Sequence, residues 1–380
     1  MIYLDNSATT RPYEEVIDAY VKVATHYFGN PSSVHALGSE AERLLYQSRE
    51  VISKLLSIHP SEIIFTSGGT EGNNIAIKGT ALKYKNRGKH IITTAVEHAS
   101  IQEGLKQLEK HGFEVTFLPV NKAGAVAVQQ VKDAIRPDTI LVTMIHVNNE
   151  VGTIQPIQEI GELLKQYPKI LFHVDDVQGM GKVPLSIVDS GIDLLTISGH
   201  KFHSVKGTGM LYVRQGVKLE PLFTGGSQEN QLRAGTENVP GIVAMTKALR
   251  MTLENQQEKM EHLTKLRNHL TGFLNRFPEF VINTPLEGAS PHIVNFSIPG
   301  LKPEVVVHAL EDYKIYVSTK SACSSKQTSA SRILLEMGMP NSVAKYAIRV
   351  SLSTQSTLEE IQAFCSAIET IIKQNKVIKR

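Results

Sequence analysis

Thr196-Ile197-Ser198-Gly199-His200-Lys201 is the stretch on which the reading of this chain turns. The apolar run that begins at Leu194 is a candidate strand, and a lysine stands just past its end. Such a lysine is either a solvated loop cation or an amine kept neutral for covalent work. The second use needs a depressed pKa. Ser198 and His200 beside it are able to donate hydrogen bonds to an anion such as a phosphate, which would hold a bound group close to the amine.

Outward from that strand the pattern alternates. Candidate strands fall at 62–66, 90–94, 114–118, 140–146, 170–175, 194–198 and 209–213. Several are apolar throughout, which suits strands covered on both faces. Helices fit between most of them. Residues 14–26 form one, 39–57 a second with Leu44, Leu45, Val51, Leu55 and Leu56 at near-helical spacing, and 72–85 a third. Repeated strand–helix units predict an α/β fold with a mainly parallel sheet. Residues 250–270 are polar, charged and free of helix breakers, and read as one long helix joining two domains. After it come strands near Val281 and at 293–298 with two or three helices, a smaller α+β unit. A chain of 380 residues exceeds what one core usually holds. The expected division is a large domain over 14–255 and a small one over 256–380 together with an N-terminal arm, 1–13.

Composition narrows the class. A net charge of +3 over this length gives no footprint for nucleic acid. The densest basic run, 373–380, reads as a solvated helix end. Two cysteines far apart, Cys323 and Cys365, make no disulfide framework and suit a reducing compartment. The start of the chain lacks a signal-peptide pattern, and no run of about 18 apolar residues is present, so no membrane span is expected and the cytoplasm is the expected location.

Two further signals join Lys201. Ser67-Gly68-Gly69-Thr70 lies between a candidate strand and a candidate helix. Unpaired N–H groups at a helix start bind phosphate, and glycines let the backbone come close. An ordinary turn would look the same, and neither nucleotide-binding glycine motif is present. Phe172-His173-Val174-Asp175-Asp176-Val177-Gln178 ends a buried strand with an acid, costly unless paired. A pyridinium nitrogen would pair with it, and a metal or a helix cap are the other uses. Alternation turns only one of Asp175 and Asp176 inward. Gln178 is placed to reach the same ligand. Glycine loop, acid and lysine follow one another in the order of the large aminotransferase fold that uses pyridoxal phosphate.

At this point the sequence resembles a known family, the cysteine desulfurases of the NifS/IscS type. The likeness is carried by Tyr3-Leu4-Asp5-Asn6-Ser7-Ala8-Thr9-Thr10, Phe28-Gly29-Asn30-Pro31-Ser32-Ser33, Thr66-Ser67-Gly68-Gly69-Thr70-Glu71, Glu97-His98, His146-Val147-Asn148-Asn149-Glu150-Val151-Gly152, His173-Val174-Asp175, Ser198-Gly199-His200-Lys201, Arg233-Ala234-Gly235-Thr236 and Ser321-Ala322-Cys323. It implies a class V aminotransferase fold and pyridoxal 5′-phosphate as cofactor. By resemblance, Lys201 carries the cofactor, Asp175 pairs with its ring nitrogen, Gln178 and Asn149 hold its phenolic edge, and His98 stacks on the ring and moves protons. Gly69, Thr70, Ser198 and His200 would bind its phosphate. Thr236 would reach the phosphate of a partner subunit, so a homodimer is implied. Arg349 would clamp the carboxylate of the substrate, L-cysteine, with Asn30 lining the same pocket. Cys323 would take the sulfur as a persulfide, leave alanine, and pass the sulfur to an acceptor protein for iron–sulfur assembly or tRNA thiolation.

The sequence departs from the family in places. Thr319 and Lys320 stand where small residues are usual before the cysteine. Ser324-Ser325-Lys326-Gln327-Thr328-Ser329 replaces the usual residues after it, and the segment's length resembles the longer loop of one subgroup. Asp176 stands where alanine is common and Val177 where a small polar residue is common. The Cys323 step needs a thiolate, which Lys320 and Lys326 would favour if close. Cys365, on an apolar helix face, reads as core. Other readings stay open on sequence alone: a selenocysteine lyase or aminotransferase of the same fold, or a non-catalytic sulfur relay, the last opposed by an intact Lys201, Asp175 and His98.

Overall fold

The computed structural model describes residues 1–319 and 330–378. Its strands are β1 (Ile2–Tyr3), β2 (Ile63–Thr66), β3 (His90–Thr94), β4 (Glu114–Leu118), β5 (Thr139–Ile145), β6 (Leu171–Asp175), β7 (Leu194–Ser198), β8 (Gly209–Val213), β9 (Val281–Ile282), β10 (Ile293–Ser297), β11 (Ile315–Tyr316) and β12 (Ala347–Ser351). Seven of them form one sheet in the order β2-β8-β7-β6-β5-β3-β4. β8 runs antiparallel to both its neighbours, and the other pairings are parallel. The expected α/β fold is therefore present.

The apolar character of the central strands has a direct cause. On β5 and β6, Val142, Met144, Phe172 and Val174 pack into one buried cluster, while Leu141 and Leu171 pack into another. Helices Glu14–His26, Ala36–Leu56 and Val239–Leu253 feed the first cluster, and Gly69–Tyr84 and Ala99–Glu109 the second. A strand covered on both faces has no solvent-facing position, so its few polar residues pair inside, as Thr143 and His173 do at 2.8 Å.

A separate apolar cluster gathers Leu263, Leu266 and Leu270 from helix Gln256–Leu274, Val294 and Phe296 from β10, Ile348 and Val350 from β12, and Phe364, Cys365 and Ile368 from helix Leu358–Ile378. Leu4 joins this cluster from the far end of the sequence. Cys365 is 5% exposed, and burial pushes its thiol up to about 12, so it is a core side chain. β1 pairs with β11, and Asp5 bridges to Ser351 beyond it.

One expectation needs correction. Residues 250–270 are not one helix: Val239–Leu253 ends and Gln256–Leu274 begins around Asn255, which sits in the left-handed region at φ 52°. Asparagine tolerates that conformation better than most residues, so a sequence without Gly or Pro still breaks. Lys259 Nζ caps the break, donating to the carbonyls of Met251 (2.5 Å) and Glu254 (2.6 Å). The third helix also starts at Gly69 rather than at 72, which puts the glycine loop itself into the first helical turn.

Candidate active site

β2, β3, β5, β6 and β7 all end at the same edge of the sheet, where α/β sheets characteristically bind ligands. A cavity of about 170 Å³ opens there. Its wall includes Gly69, Thr70, His98, Asn149, Asp175, Gln178, Ser198, His200, Lys201 and Arg349, residues drawn from almost the whole length of the chain. Asn30 and Thr236 are exposed and lie outside this wall. Their loops adjoin each other elsewhere: Gln228 reaches Ser32 Oγ at 3.5 Å and accepts from Gly235 N at 3.2 Å. Cys323, Lys320 and Lys326 lie outside the described residues.

Asp175 is 3% exposed at the last position of β6. Oδ2 accepts from Asn73 Nδ2 at 2.7 Å and Oδ1 from Val177 N at 3.1 Å. Asp176 points the other way and accepts from His146 Nδ1 at 2.6 Å, as strand alternation requires. Asn73 was not singled out in the sequence. It lies on helix Gly69–Tyr84, and its Nδ2 also donates to Ser100 Oγ at 2.9 Å.

His98 caps helix Ala99–Glu109. Its Nδ1 accepts from Ser100 N at 3.2 Å, so the ring proton of the neutral imidazole is on Nε2. The preceding residue, Glu97, is fully buried, and burial raises its carboxyl to about 8, against the opposing pull of hydrogen bonds from Thr94 Oγ1 and Ile145 N.

Lys201 Nζ donates to the backbone carbonyls of Ser7 and Ala8, the latter at 2.9 Å. Gln178 Nε2 donates to the same Ser7 carbonyl at 3.0 Å. The N-terminal strap thus forms part of the site, a role invisible in sequence because backbone oxygens, not side chains, do the holding. Burial first, then the ammonium of Lys201, lowers His200 to about 4, so the ring is neutral near pH 7. Arg349, 1% exposed on β12, donates from Nη1 to Asn149 O and from Nη2 to Asp5 Oδ1, both at 2.8 Å. Its Nε is buried with no partner.

These residues fit a phosphorylated pyridine aldehyde. The helix of 16 residues opens at Gly69, and a Cβ there would come within 2.8 Å of Val177 Cγ2 and 3.5 Å of Ser198 Cβ, so the absence of a side chain keeps the cradle open. The amine of Lys201, the acid of Asp175 and the guanidinium-bearing Arg349 all line the same space.

Comparison with known proteins agrees. The aminotransferase class-V family description matches residues 2–364. A NifS/IcsS protein homolog of Lactobacillus delbrueckii subsp. bulgaricus is 46% identical over 98% of this chain and 97% of its own length. A protein named cysteine desulfurase IscS of Dictyoglomus turgidum is 43% identical over 99% of this chain and 96% of its own. A solved NifS-like protein superimposes with a TM-score of 0.93 at 38% identity, covering 98% of this chain and 99% of the other.

Proposed function

The chain belongs to the class V aminotransferase family, and on that premise we propose that it is a cysteine desulfurase that uses pyridoxal 5′-phosphate to take sulfur from L-cysteine. One observation carries the reading: Lys201, Asp175 and Arg349 converge on one cavity at the carboxyl edge of the sheet. Lys201 would hold the cofactor through its amine and Asp175 its ring nitrogen. His98 would lie against the ring, Gln178 and Asn149 at its hydroxyl edge, and Gly69, Thr70, Ser198 and His200 around its phosphate. When bound, the cofactor supplies an electron sink for charge developing on the substrate's α-carbon.

The rest is the work of this chain. Arg349, held on the cavity wall by its bonds to Asn149 and Asp5, binds the cysteine carboxylate through its guanidinium. Lys201 Nζ takes the proton from the α-carbon, and Nε2 of His98 exchanges a proton with the substrate thiol. The Cys323 thiolate attacks the substrate sulfur. The new S–S bond forms as the C–S bond breaks; the pair from that bond stays with the β-carbon, which takes up a proton, Lys201 returns the α-proton, and Cys323 is left as a persulfide while alanine leaves. The flanks of the cysteine segment support that assignment. Ser318 exchanges two backbone hydrogen bonds with Arg349, and on the other side Ser331 Oγ donates to Glu150 at 2.6 Å and Arg332 Nη2 to Glu97 O at 2.9 Å.

A homodimer completes the proposal. Phe28, Val34, Tyr46 and Phe223 are apolar and exposed, in or near the loops of Asn30 and Thr236, and a second copy covering them would bring Thr236 to the partner's phosphate. The persulfide passes to an iron–sulfur scaffold or a tRNA-thiolating protein in the cytoplasm. No helix among the described residues is long and apolar enough to cross a membrane. The test is alanine production and mass spectrometry of the protein after incubation with cysteine. The expected result is a gain of one sulfur on Cys323, absent in Cys323→Ser and Lys201→Ala. Wild-type turnover in Lys201→Ala would overturn the reading.

A further inference from the structure

A buried histidine and aspartate that the mechanism leaves unused meet beside the site. His146 Nδ1 and Asp176 Oδ1 lie 2.6 Å apart, with side chains 3% and 2% exposed. Strands β5 and β6 run parallel, and their last paired residues are Ile145 and Asp175. His146 and Asp176 are the next residues on each, so their side-chain bond continues the pairing one step past the end of the ladder. Main-chain bonds frame it: His146 N donates to the Asp175 carbonyl and Asp176 N to the Thr196 carbonyl, both at 2.9 Å. We propose that His146 and Asp176 are positioning residues, locking the exit of β5 to the exit of β6 and so setting the spacing of the two cavity residues Asn149 and Asp175.

Both exits carry residues of the site within three positions of the pair. After His146 comes Asn149, which lines the cavity and whose carbonyl accepts from Arg349 Nη1 at 2.8 Å. Asp175 and Gln178, on either side of Asp176, line the cavity as well. Loops are freer than the strands they leave, so a buried side-chain bond at their root fixes them where the ladder stops. The neighbouring turn is built around this bond. A Cβ on Gly179 would stand 2.2 Å from Asp176 Oδ1 and 2.4 Å from His146 Nδ1, so the pair requires glycine there. One proton between nitrogen and oxygen makes the bond, whichever atom holds it, and the lock therefore does not depend on the net charge of the pair. Removing the carboxyl leaves a buried ring nitrogen without its partner.

This inference rests on the cavity taking pyridoxal phosphate, and its test separates the two. Cofactor-stripped protein is titrated with pyridoxal phosphate and binding is read from absorbance, while chemical denaturation of the same samples gives stability. Asp176→Asn keeps an acceptor oxygen for His146, and Asp176→Ala keeps none. The expected result is an affinity lowered about tenfold or more in Asp176→Ala and within about threefold of wild type in Asp176→Asn. Circular dichroism checks folding. If the alanine variant does not fold, Gly179→Ala, which drives a methyl group into the bond while leaving both partners in place, is read in the same way. Unchanged affinity in the folded variants, even with lowered stability, overturns the inference, as does an equal loss in Asp176→Asn. A wild-type protein that takes up no pyridoxal phosphate overturns the cofactor assignment itself.

Discussion

Asp5 Oδ1 lies 2.8 Å from Arg349 Nη2, although 344 positions of sequence separate the two residues. The aspartate fixes one edge of the guanidinium and the Asn149 carbonyl another, which leaves Nε buried without a partner. Burial raises the Asp5 carboxyl and the arginine opposes that rise.

Asp5→Asn leaves the Arg349 charge buried without its counter-ion. The expected loss in unfolding free energy is about 2–4 kcal/mol by chemical denaturation. The KM for cysteine should rise roughly tenfold with a much smaller change in kcat, because the guanidinium is freed to rotate. An unaltered KM would show that Asp5 does not orient the clamp.

Asn73→Asp places a second carboxylate against Asp175 in place of a donated hydrogen bond of 2.7 Å. One of the two acids then takes up a proton, and the hold on a ring nitrogen weakens. Retention of pyridoxal phosphate, followed by absorbance through dialysis, is expected to fall at least about tenfold in affinity.

Gly69→Ala drives a methyl group to 2.8 Å from Val177 Cγ2. A destabilisation of about 1–3 kcal/mol is expected from the overpacking. Val177→Ala in the same chain removes the opposing methyl groups, so the double variant should recover most of the lost stability. Failure to recover would point to Ser198 Cβ, at 3.5 Å, as the contact that matters.

Glu97→Gln tests the buried acid. A carboxyl raised from 4.5 to about 8 binds a proton in the folded state that the unfolded chain releases between those pH values. From this group, stability is greatest below about 4.5 and falls as pH rises toward 8. Denaturation midpoints at pH 5.5 and 8.5 should therefore diverge less in Glu97→Gln than in wild type, since glutamine carries no proton to lose. An equal fall in both proteins would remove Glu97 as the source.

Much of this site was legible in the sequence, for reasons that can be named. His90–Thr94, Glu114–Leu118, Leu194–Ser198 and Gly209–Val213 match their expected bounds; three of them lie inside the covered sheet, while Glu114–Leu118 is a partly exposed edge strand. The acid and lysine were found by standing at strand ends, where period-two alternation turns one side chain toward the pocket. What escaped has no side-chain signature: the carbonyls of Ser7 and Ala8, and the long-range pairings of Asp5 with Arg349 and Asn73 with Asp175. Lys182, buried with its Nζ on the Lys201 carbonyl at 2.8 Å, escaped because a lysine after a glycine-rich turn reads like any surface lysine. The break at Asn255 escaped because a single left-handed residue leaves no periodic trace.

The strap from Ser7 to Thr10 carries a consequence for how the enzyme matures. Ser7 N donates to Ser351 Oγ, and Thr10 to the His200 carbonyl. A ribosome releases the strap long before β12, so the strap has no dock until β12 has emerged. Nascent chains stalled before residue 351 would present the glycine loop and Lys201 with one wall missing. They would be expected to hold the vitamin-derived ligand loosely, which makes its capture a late event in the life of each new molecule.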